Sequence, residues 1–187
     1  MSGRSREPGE SPGEGRFDRL LDDLLGVRGA GEANLLDTAV TARLVPVTAI
    51  AFDERTILKC RYSCPAWGRR WTCNDDAWGP RELIPLLQKY ERVAILTGLD
   101  GDELFPAGLA LERAAFARGY YWALAVAVTP CYTCPECTYP DGDCRHKPDL
   151  RPESAMAGID AMKTLDSLGI DRRPGGGFLR TSFVFVE

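Results

Sequence analysis

The sequence lacks a stretch that could form a membrane-spanning helix. Its longest apolar run, residues 120–128, has the length of a strand, whereas a helix needs about 20 apolar residues to cross a bilayer. It also lacks an excess of positive charge, because 23 Lys and Arg stand against 27 Asp and Glu, which gives a net charge of −4. Proteins that bind nucleic acid by neutralising phosphates are usually basic. We therefore expect neither a membrane nor a nucleic acid as partner.

Several enzyme motifs are missing as well. We find no hydrolase triad, no phosphate-binding loop and no carboxylate pair. The glycines of residues 26–31 lack the dinucleotide-binding spacing and follow no strand, so this segment is interpreted as a linker.

The N-terminus has no hydrophobic core of a secretory signal. Residues 1–15 consist largely of Gly, Ser, Pro, Arg and Glu, a composition that predicts a disordered tail. Residues 16–187 are long enough to form a single metal-binding domain with its own core. We expect a cytoplasmic protein, where clustered cysteines indicate metal or redox chemistry, and the odd cysteine count fits a disulfide framework poorly.

The apolar periodicity predicts helices alternating with strands. Helices are expected over 17–25, 80–90 and 102–118 and from Arg151-Pro152 to Gly169, and strands over 44–52, 92–98, 120–129 and 178–186. This order predicts an α/β or α+β fold, with a small, mostly parallel or mixed sheet covered by helices. Two cysteine-rich metal-binding loops would leave the C-terminal ends of strands and lie on the same side of the molecule.

What the sequence does contain is seven cysteines in two windows of equal length. The second window is Cys131-x2-Cys134-x2-Cys137-x6-Cys144. Three cysteines at two-residue intervals are typical of a loop that binds a 4Fe–4S cluster, with a fourth ligand supplied later. Zinc is the alternative, although a third cysteine at this interval is surplus for one tetrahedral ion.

The first window is Cys60-x3-Cys64-x8-Cys73 and supplies three thiolates. Three cysteines can hold a 4Fe–4S cluster and leave one iron open to substrate, as an open position does in catalytic zinc sites. Alternatively, the fourth ligand is a carboxylate of Asp75 or Asp76, or a cysteine of the other window. The number of clusters, one or two, stays open at this point.

Charged side chains follow the second window. His146 is the only histidine, and it is either a ligand, a proton donor or an exposed loop residue. Arg145, Lys147 and Arg151 would raise the potential of an anionic cluster, bind an anionic substrate or form a solvated face.

From about Thr48 to Leu168 the chain resembles the prokaryotic predicted metal-binding proteins of domain of unknown function 2284. The residues that carry the resemblance are Lys59-Cys60, residues 64–68, Cys73, Leu111-Glu112-Arg113, Phe116, residues 119–121, Pro130-Cys131, Cys134, Cys137, residues 144–148, Arg151-Pro152 and residues 158–160. The resemblance implies metal binding through these cysteines as iron–sulfur clusters, but no particular reaction.

Two positions depart from the family pattern. Asn74-Asp75 stands where the family usually has Pro-Pro, which would allow an added carboxylate ligand. Ala155 stands where the family usually has a glutamate in the helix after Arg-Pro, which argues against an acid–base role for that helix.

Three functions follow from these observations. The leading one is a two-cluster iron–sulfur protein that acts on a small molecule as a redox or sulfur-transfer enzyme. The second is an electron carrier for a partner oxidoreductase. The third is a zinc-stabilised interaction module.

Overall fold

A computed structural model describes residues 33–34, 40–127, 129–131 and 133–187. The predicted tail, the helix over 17–25 and the linker over 26–31 lie outside the described residues. The described part contains an antiparallel sheet of strand order β1-β2-β3-β5-β4. The strands are β1 (Ala33–Asn34), β2 (Thr41–Pro46), β3 (Arg92–Gly98), β4 (Leu124–Val126) and β5 (Arg180–Val186).

The described residues also form α-helices. They are α1 (Thr56–Ser63), α2 (Pro80–Leu87), α3 (Gly101–Ala117) and α4 (Ala161–Ser167). Pro80 suits the first turn of α2, where an N–H would have no helical partner. The carboxylate of Asp100 caps α3 by accepting from the Asp102 N–H.

The two central strands, β3 and β5, are buried on both faces. Ala94 and Leu96 of β3 lie in one apolar cluster with Leu104 and Leu111 of α3. Val93 and Ile95 point to the opposite face and pack in a second cluster with α2. Successive strand side chains alternate between faces, so both faces of the sheet acquire an apolar layer.

The prediction of a mostly parallel or mixed sheet is wrong, because each strand pair of the described sheet is antiparallel. Strand β5 pairs with both β3 and β4 in antiparallel fashion, so β3 and β4 run in the same direction without touching. The strand–helix–strand pattern predicts their common direction, but it carries no information on the strand that inserts between them.

Several predicted elements are shorter in the structure. The strand expected over 44–52 is Thr41–Pro46, and residues 47–49 form a short 3-10 helix. The strand expected over 120–129 covers only Leu124–Val126, since Tyr121 and Trp122 are exposed and β4 is an edge strand. The helix expected from Arg151 begins only at Ala161. Residues 153–159 form turns instead, with Gly158 at a φ of 75° that favours glycine.

Candidate metal centre

Cys60 lies on helix α1, facing the loop of residues 151–160, which we call the Glu153 loop. The hydroxyl of Thr56 donates to the Ala155 carbonyl at 2.7 Å, and the Cys60 thiol donates to Glu153 Oε2 at 3.5 Å. Residues four apart on a helix share one face, so one side of α1 makes both contacts. The prediction that the first window is a loop at the end of a strand is wrong, because it begins inside a helix.

The backbone fixes α1 against the Glu153 loop. The Asp53 N–H donates to the Gly158 carbonyl at 2.8 Å, and the Asp160 N–H donates to the Ala51 carbonyl at 2.8 Å. The hydroxyl of Thr164 accepts from the Ala51 N–H at 3.0 Å. These bonds anchor the chain just before α1 and thereby set the position of Cys60.

The rest of the first window is a series of tight turns. Helix α1 ends at Ser63, and the N–H of the next residue, Cys64, donates to the Cys60 carbonyl at 3.3 Å. The following Pro65 disfavours further helix. The Gly68 N–H donates to the Cys73 carbonyl at 2.8 Å, which brings Cys73 back towards the helix.

Cys60 and Cys73 are buried together with Met156. Their exposed fractions are 7%, 1% and 1%. The partly buried side chains around them are Ile57, Trp67, Ala77 and Ala155. Two of the three thiols of the first window therefore lie within an apolar environment.

This environment changes the acidity of both thiols. Burial raises the pKa of Cys73 to about 12, with smaller contributions from the charges of Glu153, Cys64 and Cys131. Burial, and then the charge of Glu153, raises the pKa of Cys60 far above its ordinary value. Both thiols are protonated at neutral pH without metal, so a metal that binds them must displace their protons.

Glu153 is a site residue that the sequence analysis did not identify. It is 8% exposed, and Oε2 accepts from the Cys60 thiol and from the Ala155 N–H at 3.0 Å. Oε1 accepts from the Ser154 hydroxyl at 2.9 Å. Burial raises the pKa of Glu153, and these hydrogen bonds partly oppose the shift. Its position directly after Arg151-Pro152 is the sequence signal that points to it.

The carboxylates that the sequence nominated lie elsewhere. Asp75 is exposed and pairs with Arg61. Asp76 is also exposed and accepts from the Tyr139 hydroxyl at 3.2 Å. The turn that follows Cys73 is held by Asn74, whose side-chain oxygen accepts from the N–H groups of residues 76 and 77.

The two windows are in contact. The Cys131 N–H donates to the Thr72 hydroxyl at 3.4 Å, and the Arg70 guanidinium donates to the Cys134 carbonyl at 3.2 Å. The indole of Trp71 donates to the Thr138 hydroxyl at 3.2 Å. The two windows therefore lie on the same side of the molecule, as expected. The reason differs, because the expectation assumed parallel strands and the pairs of the described sheet are antiparallel.

The second window is an irregular surface segment. Its four cysteines, Cys131, Cys134, Cys137 and Cys144, are all half-buried. Thr138 donates to the Asp143 carbonyl at 2.8 Å, and Arg145 donates to the Glu136 carbonyl at 2.7 Å. These few bonds close the segment on itself.

Among the charged residues that follow the second window, Arg151 forms an ion pair with Glu112. Its Nε donates to Glu112 Oε2 at 2.6 Å, and the same oxygen accepts from the Ala125 N–H at 2.6 Å. This half-buried ion pair joins α3 to the Glu153 loop. His146 and Lys147 are exposed.

The sequence matches one family model. The model described as "Predicted metal-binding protein (DUF2284)" matches residues 43–176. The chain belongs to this family. The DUF2284 match contains all seven cysteines and Glu153, and its description leaves the metal unspecified. Comparisons with curated proteins and with solved structures give no significant match.

The donors of this DUF2284 chain suit a thiophilic metal, since thiolates bind zinc, copper(I) and iron–sulfur clusters. Among the described residues, which include every cysteine, no three His, Cys, Asp or Glu side chains form a group ready to hold a metal ion. All seven cysteines are free. The donor chemistry therefore fits a metal, while closing a ligand set requires the side chains to move.

A groove of about 790 Å³ lies next to the first window. Four of its lining residues also pack on the buried cysteines, namely Ile57, Trp67, Ala77 and Met156. Its rim carries the pair Arg61–Asp75 and the pair Arg81–Glu54, the latter at 3.7 Å.

None of the helices in the described ranges is long and apolar enough to cross a membrane.

Proposed function

We propose that this chain is an iron–sulfur protein with two 4Fe–4S clusters that acts in a redox or sulfur-handling step. Cys131, Cys134, Cys137 and Cys144 hold one cluster for electron transfer. Cys60, Cys64 and Cys73 hold the other, in which one iron carries no cysteine. The observation that carries the proposal is the packing of Cys60 against Cys73 beside a second set of cysteines.

The spacing of the second window supports iron over zinc. Its three cysteines at two-residue intervals are typical of 4Fe–4S loops. The half-exposed position of these cysteines suits a cluster that exchanges electrons with a redox partner protein. Free thiols also suit a reducing cytoplasm.

The groove beside the first window supports a small-molecule substrate at the other cluster. Its volume of about 790 Å³ lies in the range of typical ligand sites. Trp67 and Met156 are shared between the groove and the buried cysteine cluster. A substrate in the groove would thus lie close to the iron that carries no cysteine.

The test is the content of iron, acid-labile sulfide and zinc per chain after anaerobic purification. We expect about eight irons with matching sulfide, the count for two cubanes. One or two zinc ions without sulfide would contradict the proposal and support a structural module, whose folding depends on zinc.

A ligand-exchange experiment separates the enzyme from a pure electron carrier. Cyanide or a small thiol is added to the protein with both clusters, and the spectrum of the first cluster is followed. We expect a change, because the iron without cysteine accepts an external ligand. An unchanged spectrum would mean two clusters closed by strongly bound protein ligands, and hence a carrier.

A further inference from the structure

We propose that Glu153 is the fourth protein ligand of the first window, binding its metal centre through Oε2 beside Cys60, Cys64 and Cys73. This inference rests on the proposed function, since it requires a metal centre at these cysteines. It assigns the iron without cysteine a displaceable oxygen ligand.

The burial of Glu153 is the first argument. The side chain is 8% exposed, and no Lys or Arg of the described residues forms an ion pair with it. Buried charges in proteins are generally paired or coordinate metals. An iron atom at the neighbouring thiols would act as the Lewis acid that pairs with this carboxylate.

The distance from Cys60 Sγ to Glu153 Oε2, 3.5 Å, is the second argument. In a 4Fe–4S cluster each iron carries one outer protein ligand, so Cys60 and Glu153 would bind neighbouring irons. The contact places the carboxylate directly beside a thiol that the proposed cluster requires. The thiol proton that now lies between them leaves when the metal binds.

The hydrogen bonds around Glu153 are the third argument. The Ser154 hydroxyl holds Oε1, and the N–H groups of Ala155 and Met156 approach Oε2 at 3.0 and 3.3 Å. Ligating carboxylates are commonly oriented by such outer donors. The Thr56–Ala155 bond keeps Cys60 aligned with the same loop.

Cys131 is the competing fourth ligand. Its charge influences Cys73, but its own thiol donates to the Thr133 hydroxyl at 3.4 Å. Its backbone N–H donates to the hydroxyl of Thr72 in the first window. Glu153, by contrast, already contacts a cysteine of the first window.

An oxygen ligand has a chemical consequence for the substrate. Soft metal centres favour sulfur over carboxylate oxygen, so a thiolate or hydrosulfide can replace Glu153. The groove lined by Met156 and Trp67 gives such a ligand access. The first site thus suits sulfur-bearing small molecules.

The experiment uses the full chain reconstituted with iron and sulfide under anaerobic conditions. Wild type, Glu153→Gln and Glu153→Cys are compared by iron content, Mössbauer and electron paramagnetic resonance spectroscopy. The matched controls are Asp75→Asn and Asp76→Asn, which remove carboxylates near Cys73 without touching the thiols. Circular dichroism establishes that each variant is folded.

We expect wild type to show one iron with a spectrum distinct from its sulfur-ligated neighbours. Glu153→Gln should weaken iron retention at the first window at least tenfold, because loss of even a residue that only orients a metal ligand costs about 10–100-fold in affinity. Glu153→Cys should retain full iron while the distinct iron signal disappears. The two controls should match wild type.

The inference is overturned if wild type carries iron at the first window and both Glu153 variants keep its iron content and spectra. Absence of a distinct iron signal in wild type, together with loss of the first-window iron in Cys131→Ser and its retention in both Glu153 variants, would instead assign the position to Cys131. If wild type binds no iron at the first window, the proposed function itself fails, and the inference fails with it.

Discussion

The two cysteine windows have the same length but very different surroundings. In the first window, Cys60 and Cys73 are buried beside Met156, and Cys60 lies on a helix. In the second window the cysteines are half-buried on irregular chain. Two thiols of the first window thus lie in the protein interior, whereas none of the thiols of the second window is buried. A metal in the second window would organise mainly its own segment.

The largest expected effect follows from removing one thiol of the buried window. Cys73→Ser should abolish the first cluster and leave the second, so iron should fall by about four per chain. The check is iron and sulfide content with spectra of the remaining cluster. Cys134→Ser is the converse control and should remove the other cluster. Loss of both clusters together in either variant would contradict the division into two sites.

Removing a packed side chain should lower the stability of the protein strongly at the first window and only slightly at the second. Met156→Ala creates a cavity beside two buried thiols and should lower the free energy of unfolding by about 2–5 kcal/mol. Pro135→Ala, at an exposed position between Cys134 and Glu136, should change it by less than about 0.5 kcal/mol. Denaturant titrations of the metal-free proteins measure both values. Equal effects would mean that the two windows are not differently packed.

Alkaline pH should destabilise the metal-free protein through the buried thiols. The pKa of Cys73 rises from 9.0 to about 12 on folding, so above pH 9 the unfolded chain loses this proton while the folded chain retains it. Stability is therefore full below pH 9 and falls towards pH 12, by about 1.4 kcal/mol per pH unit for this thiol.

Unfolding titrations between pH 8 and 11 test this expectation, with metal-free Cys73→Ser as control. The control lacks the thiol and should show a shallower decline. Identical pH profiles for the two proteins would exclude Cys73 as the source.

The smallest effect concerns the contact between the windows. Thr138→Val keeps the side-chain shape but removes the acceptor for Trp71 and the donor to the Asp143 carbonyl. We expect a loss of about 0.5–1.5 kcal/mol per bond, seen as faster amide exchange in the second window. Exchange in α1 should stay unchanged, and a matching increase there would show that the windows open together.

Strong local patterns predicted several elements well. The apolar run of β3 predicted Arg92–Gly98, and the periodicity of α3 predicted a helix within one residue of Gly101–Ala117. The segment after Pro152 was predicted poorly. Its apolar spacing resembles a helix, but backbone bonds from Ala127 to Pro152 and Ser154 hold it in another conformation.

By itself, the sequence determined the chemical nature of the site, because seven cysteines at these intervals define the donors whatever the fold. The family match over residues 43–176 is consistent with that chemistry. Only the tertiary structure decided which carboxylate lies beside the thiols and which cysteines are buried. Cys60 and Glu153 are 93 residues apart, and they meet because the Glu153 loop is bonded to both α1 and the end of β4. Such a contact depends on long-range backbone pairing, which local sequence patterns do not encode.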